Sequence, residues 1–196
     1  MPIARAIDEN TNRLFFYLRL VPFPQTPEEL QFAIAGKWED NEQFVAEIQS
    51  IPLHHFNEMF WRVFDETEKQ IDCTRCANCC KVFHAGLPEE EIQRLATLKQ
   101  MKYEEFLQKN VSIEQPTGIH FLKLNPCIFL YNNLCTIYDQ RPQACRDFPR
   151  PPFENVKHNI RRVLKNYTVC PIIFNTVEKC KAQLRDQYPQ KPKSRF

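Results

Sequence analysis

Apolar residues recur every three to four positions along most of the chain, the spacing that predicts amphipathic helices. This period runs from residue 41 to 70, and Pro52 is predicted to divide that stretch into two helices. Pro27, the acids behind it and Gly36 at the end predict an earlier helix. Further helices are predicted to begin at or near Pro88, Tyr103, Val156 and Pro171.

Strand signals are short, and the clearest of them lie in the second half of the chain. Residues 119–124 and 128–131 are typical of strands, and Asn132-Asn133 supplies a turn before Cys135. Residues 1–13 lack a period and predict a loose terminus, whereas residues 14–21 predict a short strand or helix. The pattern predicts an α+β fold, predominantly helical, with short strands and long loops.

A length of 196 residues suits one core with an extension better than two domains. We expect residues 1–70 to form a helical N-terminal extension that packs on the core. Residues 71–186 are expected to form a small Cys-rich domain, and residues 187–196 a loose tail.

Composition and charge exclude several classes of protein. A hydrophobic content of 43% with sixteen Phe predicts a folded globule. A formal charge of +2 gives no basic face that would select nucleic acid as a partner. No apolar run is long enough to predict a membrane span. The run at 14–18 is broken by Arg19 without a cleavage site after it, so we expect a cytoplasmic protein with reduced thiols.

Four of the nine cysteines stand in the segment CTRCANCC at residues 73–80. The spacing of Cys73, Cys76 and Cys79 lets a tight loop turn successive sulfurs toward one point. Crowded thiolates repel each other without a cation, so the segment predicts a metal ligand set rather than a piece of core. Cys80 is expected to point away from that set, because adjacent side chains diverge.

Downstream cysteines supply further thiols, enough with the first four for two four-sulfur centres or for one centre plus a redox-active set. The C-x2-C-x2-C run and a remote Cys-Pro pair match elements of bacterial ferredoxins. The absence of a second C-x2-C pair argues against a paired zinc knuckle. A 4Fe-4S iron-sulfur cluster is therefore favoured over zinc or iron ions, although both stay open. The downstream cysteines that could serve as ligands are Cys127, Cys135, Cys145 and Cys170. Cys180 is expected to be a buried apolar residue of the last helix instead.

Several motifs in combination resemble one family. They are CTRCANCC, LPEEEIQRLA, YEEFL, PCIFLYNNLCTIYDQRPQACRDFP and CPIIFNTVEKCKA, between about residues 71 and 185. The chain resembles the YkgJ-type, or CxxCxxCC, cysteine-cluster family of zinc- or iron-chelating domains. It departs from the usual pattern at Ala77, where Gly is frequent, and at Ile128, where Pro is common. The resemblance implies a chelating set of Cys73, Cys76, Cys79, Cys80, Cys127, Cys135 and Cys145, with Cys170 as an addition.

Other residues near the cysteines have two interpretations each. His84 is either a nitrogen ligand or a solvent-facing loop residue. Arg141 and Arg146 flank Cys145 and are expected to make structural hydrogen bonds that fix its loop, in preference to contacting an anion or the thiolates. No phosphate-binding glycine loop or known catalytic arrangement is present, so any enzyme chemistry would pass through the metal.

The expected function is binding of a metal ion or cluster through the cysteines. Two alternatives stay open. One is a metal-dependent modifying enzyme or oxidoreductase, because one branch of the family looks like flagellin lysine N-methylases, although those chains are longer. The other is an interaction module in which zinc is purely structural.

Overall fold

The computed structural model describes residues 23–123 and 126–189. The elements predicted for residues 1–21, and most of the predicted C-terminal tail, lie outside these ranges. Contacts between residues divide the chain into two compact units. Unit 1 consists of residues 1–72 and 153–196, and unit 2 of residues 73–152. The sequence-based boundaries of the metal-chelating domain, at residues 71 and 186, stay a prediction.

The described chain is predominantly helical with two small antiparallel sheets, which confirms the predicted fold class. The helices are α1 (Pro27–Ala33), α2 (Trp38–Glu47), α3 (Leu53–Glu68), α4 (Cys73–Cys76), α5 (Cys79–Val82), α6 (Glu89–Leu98), α7 (Tyr103–Asn110), α8 (Gln143–Asp147), α9 (Ile160–Leu164) and α10 (Pro171–Gln187). The strands are β1 (Val111–Ile113), β2 (His120–Leu122), β3 (Leu130–Tyr131) and β4 (Leu134–Cys135). Single 3-10 turns cover Ile48–Ser50, Tyr138–Gln140 and Lys157–Asn159.

Proline and capping residues define most helix starts, as the sequence predicts. Pro52 and Pro88 stand immediately before α3 and α6, and Pro171 is the first residue of α10. At α1, Thr26 accepts a hydrogen bond from the backbone N–H of Glu29, and Glu29 accepts one from the backbone N–H of Thr26. This reciprocal capping box satisfies N–H groups that the first helical turn leaves unpaired.

Unit 1 is built on the packing of α10 against α3. Its core contains a row of phenylalanines in which successive ring centroids are 6.0 to 6.3 Å apart: Phe44, Phe56, Phe60 and Phe64. Cys180 is completely buried in α10, as expected for an apolar residue of that helix. No helix among the described residues has both the length and the apolar character needed to cross a membrane.

One lysine is buried within unit 1 and is fully hydrogen-bonded. The Nζ atom of Lys181 donates to Asp40, Asn41 and Glu178, each at 2.6 Å. Glu178 also accepts a hydrogen bond from Lys37 at 2.6 Å. The ammonium group is stabilised because charged partners replace the water lost on burial.

Unit 2 has a separate small core beneath its cysteines. Helix α6 packs against α7, and β1 pairs with β2 so that Val111 lies opposite Leu122. Three of the predicted ligand cysteines contact this core: Cys127, Cys135 and Cys145. Its fully or almost fully buried residues are Ala85, Leu87, Ile92, Leu95, Ala96, Phe106, Val111, Leu122 and Phe129.

The structure differs from the predicted elements in three places. Strand β1 was not predicted, and the strand predicted for 128–131 is limited to Leu130–Tyr131. The helix predicted from Val156 is split into a 3-10 turn and the short α9. At this break the side chain of Asn159 donates to the carbonyl oxygen of Asn155 at 2.9 Å, a local bond that competes with helical pairing.

Candidate metal centre

The CTRCANCC segment forms two one-turn helices, α4 and α5, with a sharp change of direction between them. Ala77 lies at this point with a φ of 51°, in the left-handed region that favours glycine. The frequent Gly at this family position therefore has a backbone reason. Cys73 is exposed and Cys76 is buried, while α4 lies beside β4.

Cys80 lies close to three cysteines from later in the chain. Its carbonyl oxygen accepts a hydrogen bond from the backbone N–H of Cys127 at 3.0 Å. Electrostatic interactions connect every pair among Cys80, Cys127, Cys135 and Cys145. We refer to these residues as the four-thiol group.

Burial and mutual repulsion keep these thiols protonated in the absence of a cation. Burial is the largest cause that raises the thiol pKa values of Cys127 and Cys135, and neighbouring cysteines of the group add to it. Burial, followed by the charge of Cys127, raises the pKa of Cys145 to about 12. A metal that binds here must displace these protons.

Cys79 and Cys80 interact through their thiols, while the expectation that Cys80 serves a site other than that of Cys73, Cys76 and Cys79 stays a prediction. The thiol of Cys80 donates a hydrogen bond to Cys79, and this bond, followed by burial, raises the pKa of Cys80 well above its usual range. Both residues belong to the same helical turn, where adjacent side chains are about 100° apart around the axis and their sulfurs can meet.

A tight hairpin positions Cys135. Strands β3 and β4 are joined by Asn132 and Asn133, whose φ values of 48° and 62° belong to a two-residue turn with both central residues left-handed. Cys135 pairs with Leu130 across this hairpin. The predicted Asn-Asn turn is confirmed, and it brings Cys135 back toward Cys127.

Helix α8 carries Cys145, and the two flanking arginines support the segment before it. Arg141 donates to the carbonyl oxygen of Tyr138 at 2.7 Å and stacks over the Tyr138 ring, 3.9 Å from its centroid. Arg146 donates to the carbonyl oxygen of Arg141 and, at 2.7 Å, to Oε1 of Gln143. Both arginines therefore make the predicted structural hydrogen bonds.

Cationic side chains near the four-thiol group offset the charge that thiolates would introduce. Hydrogen bonding and burial raise the pKa of Cys80, and burial raises that of Cys135, but the charge of Arg141 lowers both pKa values. The charge of Lys81 likewise lowers the pKa of Cys80, and the charge of Lys99 lowers that of Cys127. Positive charge beside thiols favours their ionised, metal-binding form.

The remaining candidates are placed differently. Cys170 belongs to unit 1, where it is buried at the start of α10. His84 is exposed. Within residues 23–123 and 126–189, no three His, Cys, Asp or Glu side chains are placed so that one ion could contact them all. The assignment of Cys73, Cys76, Cys79, Cys80, Cys127, Cys135, Cys145 and Cys170 as metal ligands stays a prediction.

Two residues that the sequence did not single out support the centre. Glu91 on α6 accepts a hydrogen bond from the backbone N–H of Gln143, at the start of α8. Arg94, one turn later, donates to the carbonyl oxygen of Gln140. Both lie in or beside the LPEEEIQRLA motif, but their partners are about fifty residues away, so no local pattern indicates the contact.

Comparison with known proteins agrees with this arrangement. A profile described as "CxxCxxCC: Putative zinc- or iron-chelating domain" matches residues 72–171, just over half of the chain. The chain belongs to the CxxCxxCC family. Its matched region contains all four residues of the four-thiol group and all of CTRCANCC. No curated protein and no solved structure matches the chain.

The donor set of this CxxCxxCC chain fits the metals in the family description. Thiolate sulfur is a soft ligand that suits zinc and iron-sulfur clusters, whereas magnesium and calcium prefer oxygen. Four cysteines near one another match the ligand number of both a closed zinc site and a cubane cluster.

Proposed function

We propose that unit 2 is a metal-binding domain in which the four-thiol group holds an iron-sulfur cluster. The observation that carries this proposal is the mutual proximity of thiols from four separate chain positions above one apolar core. Buried thiols in such a group repel one another once ionised, and a bound cation turns that repulsion into attraction.

The ligand pattern supports a cluster over a single zinc ion. The C-x2-C-x2-C run of Cys73, Cys76 and Cys79 matches an element of bacterial ferredoxins, and the chain has no second C-x2-C pair of the kind that structural zinc sites use. A 4Fe-4S cluster binds each thiolate through a different iron, so it can accept ligands from several chain segments.

We further propose that the rest of CTRCANCC contributes ligands to this centre or to a second one. Cys79 already contacts Cys80, and α4, which contains Cys73 and Cys76, lies beside the strand of Cys135. Cys170 is a further proposed ligand on the basis of the family resemblance alone. Because thiolate ligands must be reduced, we propose a cytoplasmic location.

Anaerobic purification followed by elemental analysis, sulfide assay and a visible spectrum tests the proposal. We expect iron with an equal amount of sulfide and broad charge-transfer absorption that gives a brown colour. Colourless protein with stoichiometric zinc would reject the cluster and support the second candidate, a closed four-thiolate site for zinc, a metal that the family description also names. Protein that binds neither metal under reducing conditions would reject both.

A further inference from the structure

The carboxylate of Glu91 connects α6 to the helix that carries Cys145. Its Oε1 atom accepts a hydrogen bond from the backbone N–H of Gln143 at 2.8 Å, across 52 residues of sequence. Gln143 is the first residue of α8, two positions before Cys145. The position of Cys145 therefore depends on a contact made by another helix.

Helix α8 needs such a partner. It has five residues, and the residue before it, Pro142, provides no side-chain cap. A helix of this length is not stable by itself, and its first N–H groups have no partners within the helix. A carboxylate at this end satisfies one of these groups and interacts favourably with the helix dipole.

Arg94 strengthens the same connection. It donates to the carbonyl oxygen of Gln140, in the turn before α8, and lies 3.5 Å from Oε1 of Glu91. One turn of α6 thus holds both the start of α8 and the turn that leads into it.

The second carboxylate oxygen of Glu91 indicates a role beyond fold stability. Oε2 is buried and has no hydrogen-bond partner among the described atoms. A buried oxygen without a partner is unfavourable for folding, so fold stability does not explain it. Glu91 is also close enough to Cys145 for its charge to act on that thiol.

We propose that Glu91 is a positioning residue of the metal centre. It holds α8 by accepting the hydrogen bond from the N–H of Gln143, so that Cys145 stays beside the other three thiols. This inference rests on the proposed function, because it assigns Cys145 as a ligand. Without the contact, α8 would lose its anchor and Cys145 would leave the group.

Cluster reconstitution of the full chain with ferrous iron and sulfide tests this role. For Glu91→Ala we expect the iron bound per chain to fall from about four to about three, because the cluster loses one of its four cysteine ligands. The oxidised protein should then show the electron paramagnetic resonance signal of a three-iron cluster. Glu91→Gln keeps an oxygen that can accept from Gln143, so it should retain about four irons.

A second pair of variants isolates the backbone donor. Gln143→Pro removes the N–H that Glu91 accepts, at the first helical position, where proline is tolerated. Pro142 already has the extended ψ of 152° that a following proline requires. Gln143→Ala is the matched control, since it removes the same side chain and keeps the N–H. We expect only the proline variant to lose the fourth iron, and this pair decides the question if Glu91→Ala does not fold.

The outcomes separate this inference from the proposed function. The positioning role alone would be overturned if the wild-type chain bound four irons and the Glu91→Ala and Gln143→Pro variants showed the same iron content and the same signal. A purely structural role would lower the melting temperature of these variants without changing the iron bound per folded chain, and this result would also overturn it. A wild-type chain that takes up no cluster would overturn both.

Discussion

The backbone N–H of Cys127 donates a hydrogen bond to the carbonyl oxygen of Cys80 at a distance of 3.0 Å. This contact joins the first cysteine segment to the second through main-chain atoms. It does not use either thiol, so replacement of either side chain leaves the contact available. Serine substitutions at these positions therefore test the thiols with little change in the local backbone.

Cys127→Ser should lower the iron bound per chain from about four to about three, because it removes one of the four cysteine ligands proposed for the cluster. Cys180→Ser is the matched control. Cys180 is completely buried within unit 1, so serine there should cost about 1–3 kcal/mol of stability but leave the metal content unchanged. Elemental analysis after anaerobic purification measures the metal, and circular dichroism verifies the fold.

Cys76→Ser is expected to lose metal and solubility together, since Cys76 is buried within CTRCANCC. Equal metal content in the Cys76, Cys127 and Cys180 variants would contradict the division of the cysteines into ligands and core residues.

Removal of the metal should destabilise unit 2 more than unit 1. A ligand at about 100 times its Kd adds about 2.7 kcal/mol to the stability of the part that binds it. Treatment with a chelator should therefore speed hydrogen exchange about 100-fold at the amide of Thr136, which bonds to Phe129 in the hairpin region. Amides of α3 and α10 should change much less. Equal acceleration in both units would show that the metal is not bound by unit 2 alone.

Ala77→Gly should stabilise the protein. The left-handed conformation of Ala77 costs an alanine about 1–2 kcal/mol, and glycine adopts it freely. The greater freedom of glycine in the unfolded chain offsets about 0.4–1 kcal/mol, which leaves a net gain of roughly 0.5 kcal/mol. Urea denaturation with and without chelator measures the difference.

The matched control is Ala85→Gly, because Ala85 is equally buried but does not have a positive φ. This change should destabilise by about 0.5–1 kcal/mol. A loss of stability in both variants would show that Ala77 is not strained in solution.

Lys181→Met should destabilise unit 1 by about 3–5 kcal/mol, because it leaves Asp40 and Glu178 without their buried cation. Lys37→Ala is the control. Lys37 contacts the same Glu178 from an exposed position, so its removal should cost less than about 1 kcal/mol. Thermal unfolding at neutral pH compares the two variants.

The same pair predicts how stability depends on pH. Burial alone would raise the pKa of Glu178, but hydrogen bonds from Lys181 and Lys37 hold that pKa below its usual value of 4.5. A lowered pKa in the folded state means that the stabilisation is present above pH 4.5 and is lost as the pH falls through the folded value. The melting temperature of the wild type should thus decrease as the pH is lowered beneath about 4.5.

In Lys181→Met the main partner that lowers this pKa is absent, so acidification should neutralise a carboxylate that keeps Lys37 as a partner but has lost its buried cation. The melting temperature of this variant should fall less than that of the wild type between pH 6 and pH 3. A parallel decrease in the two proteins would contradict the assignment of the acid transition to Glu178.

Local signals made much of the fold predictable. Pro52, Pro88 and Pro171 act on the residues next to them, and the Asn132-Asn133 turn requires only two residues with left-handed backbone. The spacing of apolar residues likewise indicates which side of each helix is buried. These features depend on neighbours in the sequence, so the sequence alone indicates them.

Contacts between distant segments were not predictable in the same way. The bond from Gln143 to Glu91 spans 52 residues, and the packing of α10 on α3 joins the two separate chain segments of unit 1. Strand β1 has only three residues and depends on its pairing with β2. The cysteines themselves were identified from spacing and family resemblance, but the association of Cys80 with the later cysteines was apparent only from the structure.

The boundary between the two units does not coincide with the region that matches the family. The matched region ends at residue 171, and its last part, from residue 153 onward, belongs to unit 1. A fragment cut at residues 72 and 171 would expose apolar side chains that are buried in the intact protein: Val156, Ile160, Val163 and Tyr167. We therefore expect a fragment of residues 73–152 to remain monomeric at concentrations where the longer one aggregates, which size-exclusion chromatography of both fragments would measure.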